Sequence, residues 1–238
     1  EQILSGVVSG AGLLLKDSAS SALTLSGVNT HTGAIDLNQG SLVIGAAGQL
    51  ESGDYAGVID IASGATLQYA SSADQIVSGV ISGAGVLLKD TAASALTLTG
   101  LNTHTGAIDL DTGSIVIAND GELESGNYGG LLDIASGATL QYSSSAEQTL
   151  SGVISGAGTL VKDTANSSTL TLSGVNTYSG DIDLNLGSVV VGGAGQLESG
   201  NFSGDLAIAT GTTFEYASSA EQILSGVVSG AGLLLKDS

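Results

Sequence analysis

The feature that most constrains this chain is that it repeats itself. Residues 1–73 and 74–146 agree at 53 of 73 positions, and residues 147–220 give a third unit with one extra residue near 166–169. Residues 221–238 start a fourth, repeating residues 1–18 letter for letter. A unit copied at a fixed period cannot bury its apolar side chains alone and must stack on its neighbours, so repetition points to one continuous solenoid. Because such arrays normally close with atypical capping units, a chain that begins and ends within one motif reads as a window on a longer array or as a subunit stacking on copies of itself. The missing initiator Met fits a processed piece, and no leader, cap or membrane-barrel domain is expected within it.

Composition narrows the kind of solenoid. Hydrophobic residues make up 42% of the chain but aromatics only 3%, so the core must be aliphatic. The 37 glycines accompany many β-branched residues, which suits a turn-rich β fold rather than disorder. A formal charge of −19, with 23 acids against four lysines, argues against nucleic-acid binding, where phosphate contacts require Lys and Arg. It also argues against insertion of this segment into a membrane, since no apolar run approaches ~20 residues. The absence of Cys rules out disulfides and thiolate metal sites.

Short apolar segments recur between Gly, Ser, Asn and Asp. In the first unit nine strands are expected, around residues 3, 7–8, 13–16, 23–25, 34–37, 42–44, 49–51, 58–61 and 66–69. Nine strands divide into three coils of three, about 24 residues each. At ~4.8 Å per strand a unit should rise ~14 Å, and ten coils make a rod of ~45–50 Å. Leu23-Thr24-Leu25, Ile35-Asp36-Leu37 and Ile59-Asp60-Ile61 alternate apolar and polar with period two, which is the pattern of a strand and not of a helix. The expected fold is therefore an all-β, three-sided parallel β-helix.

Three segments carry a resemblance. Residues 25–33 read LSGVNTHTG, residues 98–106 LTGLNTHTG and residues 172–180 LSGVNTYSG. With GSLVI at 40–44 and SGAGLLLK at 9–16, they resemble the autotransporter passenger-associated β-strand repeat. The likeness covers about half of each unit; residues 45–70 are not diagnostic. It implies a right-handed β-helix at a bacterial cell surface, of the kind that serves as a stalk or adhesin.

Few residues invite chemistry. Asp36 and Asp60, like Asp109 and Asp133, recur at similar places on consecutive coils, where two carboxylates could share Ca²⁺. The competing reading, solvated carboxylates that repel weakly, is favoured because the third unit has Asp183 but Ala207. No other cofactor is expected. His31 and His104 are equivalent, and Tyr178 takes their place in the third unit, so they read as exposed or groove-packed turn residues rather than ligands. Asn29, Asn102 and Asn176 are expected to shape a corner. Lys16, Lys89, Lys162 and Lys236 read as solvated charges ~14 Å apart on one face. Tyr69, Tyr142 and Tyr216 are expected at a sheet end. A catalytic site built once is hard to reconcile with acids copied in every unit, so no enzyme is expected. The expected role is a structural extracellular fibre, stalk or matrix filament whose partners are copies of itself. The alternative is a multivalent adhesin using the variable stretches 46–49 and 54–56.

Overall fold

The computed structural model describes residues 1–164 and 168–237. Asn166, within the stretch assigned the third unit's extra residue, and Ser238 lie outside them. The chain forms a β-solenoid of about 11 coils of roughly 22 residues, all paired strands running parallel. With ~4.8 Å per coil its height is ~50 Å. No α-helix occurs among the described residues. One coil shows the plan: Ile59–Ile61, Ala65–Ser71 and Gln75–Val77 form its three sides. Elsewhere a strand runs on around a corner, as in Leu14–Leu25 and Ile35–Ala46, with register shifts at the bend.

Pairing registers trace three vertical columns of inward side chains. One runs Leu4, Leu25, Ile44, Tyr69, Lys89, Leu110, Ile134, Gly156. The second runs Tyr55, Val77, Leu98, Ile117, Tyr142, Lys162, Leu184, Ile208, Gly230. The third begins Lys16, Leu37, Ile61, Gly83 and, higher up, runs Tyr128, Leu150, Leu172, Val191, Tyr216, Lys236. The same order of residue types thus appears on each face, displaced upward.

This corrects the expected coil. A unit of 73 residues visits ten sides, not nine, and winds three and a third times round. The coil is nearer 22 residues than 24. The pattern of apolar residues does not reveal the side at Thr30–His31, whose inward residue is a histidine, and it misplaces another: the strand expected at 49–51 is a turn at Glu51–Gly53, and the side there is Asp54–Tyr55. The extra third of a turn rotates each unit by 120° on the one below. A unit rises ~16 Å. Equivalent residues of successive units therefore lie on successive faces, and the four lysines do not share one.

The faces and corners are built differently. Inward aliphatics such as Leu25, Ile44, Leu110 and Ile134 are at most 1% exposed, and each contributes ~1.5–3 kcal/mol of burial. At the corners glycines stack: Gly12, Gly33, Gly57, Gly79 and Gly100 on one, Gly85, Gly106, Gly130, Gly152 and Gly174 on another. A Cβ on Gly33 would lie 1.9 Å from the Gly12 carbonyl oxygen, and one on Gly106 would lie 1.7 Å from that of Gly85. No side chain fits there, so glycine alone allows the backbones to approach.

Candidate functional site

Three polar assemblies recur around the rod. The first is the asparagine bridge. Asn29 is fully buried; its Oδ1 accepts the Val8 N–H (2.9 Å) from the coil below. Its Nδ2 donates to Gly27 O (2.9 Å) and to Gln49 O (3.0 Å) of the coil above. Asn102 repeats all three contacts, with Ile81 N–H, Gly100 O and Glu122 O. Asn176 accepts Ile154 N–H at 2.8 Å and donates to Gly174 O at 3.0 Å. One amide thereby ties three coils at a bend where the strands' own ladder is broken.

Beside each bridge lies a turn that the sequence did not flag. Glu51 and Ser52 adopt φ of +44° and +55°, as do Glu124–Ser125 and Glu198–Ser199 within a few degrees. Ser52 N–H donates to Asn29 O (2.8 Å), and the Glu51 carboxylate accepts the Ala56 N–H (2.8 Å). These two anchors hold a left-handed conformation that non-glycine residues otherwise avoid. The stretch 54–56 is consequently not a free loop: Asp54–Tyr55 is a strand paired with Ile76–Val77, and Tyr55 is buried.

The second assembly joins one unit to the next. Lys16 is 6% exposed and Lys89 and Lys162 are 0% exposed, so these lysines are interior, contrary to the expectation of solvated charges; only Lys236 is exposed. The reason lies in the registers, which cover Lys16, Lys89 and Lys162 with Leu37, Leu110 and Leu184 of the coil above and place Lys89, Lys162 and Lys236 directly above the preceding unit's tyrosine. Lys89, Lys162 and Lys236 sit 5.8, 5.6 and 5.7 Å from the ring centres of Tyr69, Tyr142 and Tyr216. The tyrosines are core residues rather than sheet-end ones, and their hydroxyls donate to Ala73 O (2.6 Å), Ala146 O (2.9 Å) and Ala220 O (3.0 Å). Lys16 Nζ donates to Ser18 O and Gln39 O, Lys89 Nζ to Thr91 O, and Lys162 Nζ to Ser168 Oγ. The stem thus packs inside while the ammonium meets oxygens at the corner. Burial pushes the Lys89 and Lys162 ammonium groups down, Lys162 to about 8, with Asp90 and Asp163 opposing.

The third assembly holds the histidines. They too are interior, 5% exposed at His31 and 2% at His104, and Thr30–His31 is a short strand, so neither the exposed nor the groove-packed turn expected of them is found. Nε2 of His31 meets Gly12 O at 2.6 Å, and Nε2 of His104 meets Gly85 O at 2.8 Å. In the third unit the Tyr178 hydroxyl donates to Gly158 O (2.8 Å) and accepts the Leu160 N–H (2.9 Å). Its ring stacks on Phe202 at 6.4 Å.

The aspartates lie where the repeat suggested. Asp36 pairs in register with Asp60, Asp109 with Asp133, and Asp183 with Ala207. All are half-buried on outward positions. Asp60 accepts from Ser82 Oγ (2.7 Å) and Asp133 from Ser155 Oγ (2.5 Å). Burial, and then Asp133 and Asp111, raise the Asp109 carboxyl. Among the described residues no three His, Cys, Asp or Glu side chains converge as a metal site would need.

One flank breaks the repeat. Gln49 Nε2 donates to Asp74 O (2.8 Å), and Gln196 Nε2 to Glu221 O (2.9 Å). The second unit has Glu122 there, which lacks the donor. A polar groove of about 550 Å³ lies at this place, lined by Glu122, Ser125, Glu147, Thr149 and Thr171.

Against this geometry, residues 20–44, 93–117 and 165–191 match the family model of the passenger-associated-transport-repeat. The chain is similar to that repeat in three segments, one in each unit. Each segment spans the asparagine bridge, the side at Thr30–His31 or its equivalent, and the following strand. The SGAGLLLK stretch at 9–16 lies outside the matched residues, as does the stretch 45–70. No curated protein and no solved structure matches the chain significantly.

Proposed function

We propose that this chain is shaft: a passenger-like structural solenoid carried outside a bacterial cell as a fibre, stalk or matrix filament. The observation that carries this reading is the junction between units. Each unit seats its lysine on the previous unit's tyrosine after a constant third of a turn, so units add without altering the core. In this reading the partners are copies of the same unit, in one chain or end to end, and the segment needs neither a cofactor nor a reaction. The similarity to the transport repeat supports the surface location, and the acidic surface resists lateral clumping.

Electron microscopy of purified protein with one unit added or removed tests the proposal. Particle length should change by ~16 Å per unit at constant width. A length that stays fixed while width grows would refute it. Release of reducing sugars from a polysaccharide panel would refute the non-enzymatic part.

A second reading, a multivalent adhesin, is favoured by the groove at Glu122. Glycan or protein binding that disappears in Glu122→Gln, which restores the repeat's amide, would support it. Binding unaffected by that change would remove the groove from consideration.

A further inference from the structure

His104 has an unusual imbalance. Its Nε2 faces the Gly85 carbonyl, which can only accept, so Nε2 carries the ring's proton. Nδ1 is then the bare nitrogen. It is buried and, among the described residues, has no hydrogen-bond partner; His31 Nδ1 is in the same position. A second proton on His104 would place a charged N–H in a buried corner where no protein group among the described residues accepts it. The titratable neighbours do not relieve this. The Glu124 charge acts on the ring from a distance, and its Oε2 already accepts the Gly129 N–H at 2.6 Å. Tyr128 on the coil above donates its hydroxyl to Gly106 O, and the coil below brings the Gly85 carbonyl. Burial accordingly pushes the His104 imidazole below its ordinary value, with the Gly85 hydrogen bond and Glu124 opposing.

The third unit supplies the contrast. Tyr178 makes the same bond to a glycine carbonyl, adds an accepted bond from Leu160 N–H, and leaves no lone nitrogen to protonate. We propose that the His104 corner is an acid-operated latch: protonation at Nδ1 opens the coils around it, while the Tyr178 corner one unit further on stays shut. The sign follows from linkage. The unfolded or opened histidine binds the proton more readily than the closed one, so closure weakens as pH falls below ~6.5.

Native-state hydrogen exchange on the whole chain reads this directly. The Thr105 N–H bonds Gly83 O (2.9 Å), and the equivalent Ser179 N–H bonds Gly156 O (3.0 Å). After correction for intrinsic exchange, the opening equilibrium at Thr105 should rise by up to ~10-fold per pH unit below pH ~6.5, while that at Ser179 stays level. Tyr178→His should transfer the slope to Ser179, and His104→Tyr should abolish it at Thr105. Parallel behaviour of Thr105 and Ser179 in the unaltered protein would overturn the latch. So would a Ser179 that stays level in a folded Tyr178→His. Neither result bears on whether the rod is a shaft, which particle length decides.

Discussion

The faces of this rod and its corners obey different rules, and the internal repeat exposes the difference. On the faces, equivalent positions drift among aliphatics: Leu4 becomes Val77, Leu42 becomes Ile115, Ile59 becomes Leu132. All of these point inward with the fold unchanged, Leu4 half-buried and the rest buried. At the corners the residues that let two backbones touch do not drift: Gly33, Gly106 and Gly180 recur, as do Asn29, Asn102 and Asn176, although His31 and His104 give way to Tyr178. Faces supply burial, which is proportional to area and indifferent to shape within limits. Corners decide where the chain may bend, because a carbonyl from the coil below occupies the space of the missing Cβ. Stability is thus spread over many interchangeable residues, and specificity is concentrated in a few that cannot be exchanged.

The comparison breaks most directly at a corner glycine. Gly106→Ala puts a methyl group 1.7 Å from a backbone oxygen that cannot move without breaking its own coil. The expected loss exceeds ~3 kcal/mol, at the top of the range for overpacking. Denaturant unfolding should show it, together with loss of protection in the coils on either side. A variant as stable as the parent would mean that the corners are not close-packed. On a face the effect should depend on volume instead. Leu110→Ala should cost ~2–5 kcal/mol, and Leu110→Ile less than ~1.5 kcal/mol, since the first leaves a cavity and the second does not. Equal losses from the two would show that the faces are as exacting as the corners.

What the sequence revealed divides along the same line. The faces were legible because period-two alternation of Leu, Ile and Val gives a strand directly, and the three columns hold Leu25, Leu37 and Ile61 as expected. The resemblance to the transport repeat was legible from the NTHTG stretch, which lies within the matched segments. The coil length was not. Thr30–His31 forms a side of the solenoid without an aliphatic residue, so it reads as part of the turn. Missing one side in ten changed the coil from 22 residues to 24 and hid the 120° step. The lysines were misread for a related reason. Charge suggests exposure, and only the register reveals that Lys89 has Tyr69 beneath it and carbonyls at its tip.

Those lysines give a face-and-corner hybrid whose response to pH is intermediate in size. The folded-state values of Lys89 and Lys162 are depressed, so the unfolded chain holds more protons between about 8, for Lys162, and the unperturbed ~10.4. Stability should therefore rise with pH across that window, by ~1–3 kcal/mol. Above ~10 the buried Tyr55, Tyr128 and Tyr178 reverse the trend, since burial raises them and only the unfolded chain then loses their protons. A melting-temperature maximum between pH ~8 and ~10 is expected. Replacing Lys89 and Lys162 by Met should remove the rise and leave the alkaline fall. A rise that survives would place its origin elsewhere.

The smallest effect belongs on the outside of a face, at the paired aspartates. Asp109 and Asp133 face each other across adjacent strands, and the folded Asp109 carboxyl is raised by burial and by Asp133. A raised carboxylate means that the charged form is tolerated less well in the folded state than in the unfolded one. Stability then falls slightly as pH rises through its titration, and removing the charge helps. Asp109→Asn should stabilise by ~0.2–0.5 kcal/mol, the scale of like charges opposed across a ladder and open to solvent. The same variant separates the two readings of the pair. If the carboxylates only repel, millimolar Ca²⁺ shifts the melting temperature of the parent no more than equal ionic strength of NaCl does. If they share the ion, Ca²⁺ stabilises the parent specifically and Asp109→Asn abolishes that gain. The Asp183–Ala207 pair of the third unit is the internal control, because one carboxylate cannot form a shared site. The Ser155 hydroxyl that already occupies one oxygen of Asp133 favours simple repulsion. A face that tolerates such a pair with so small a penalty is what a shaft built from interchangeable rungs requires.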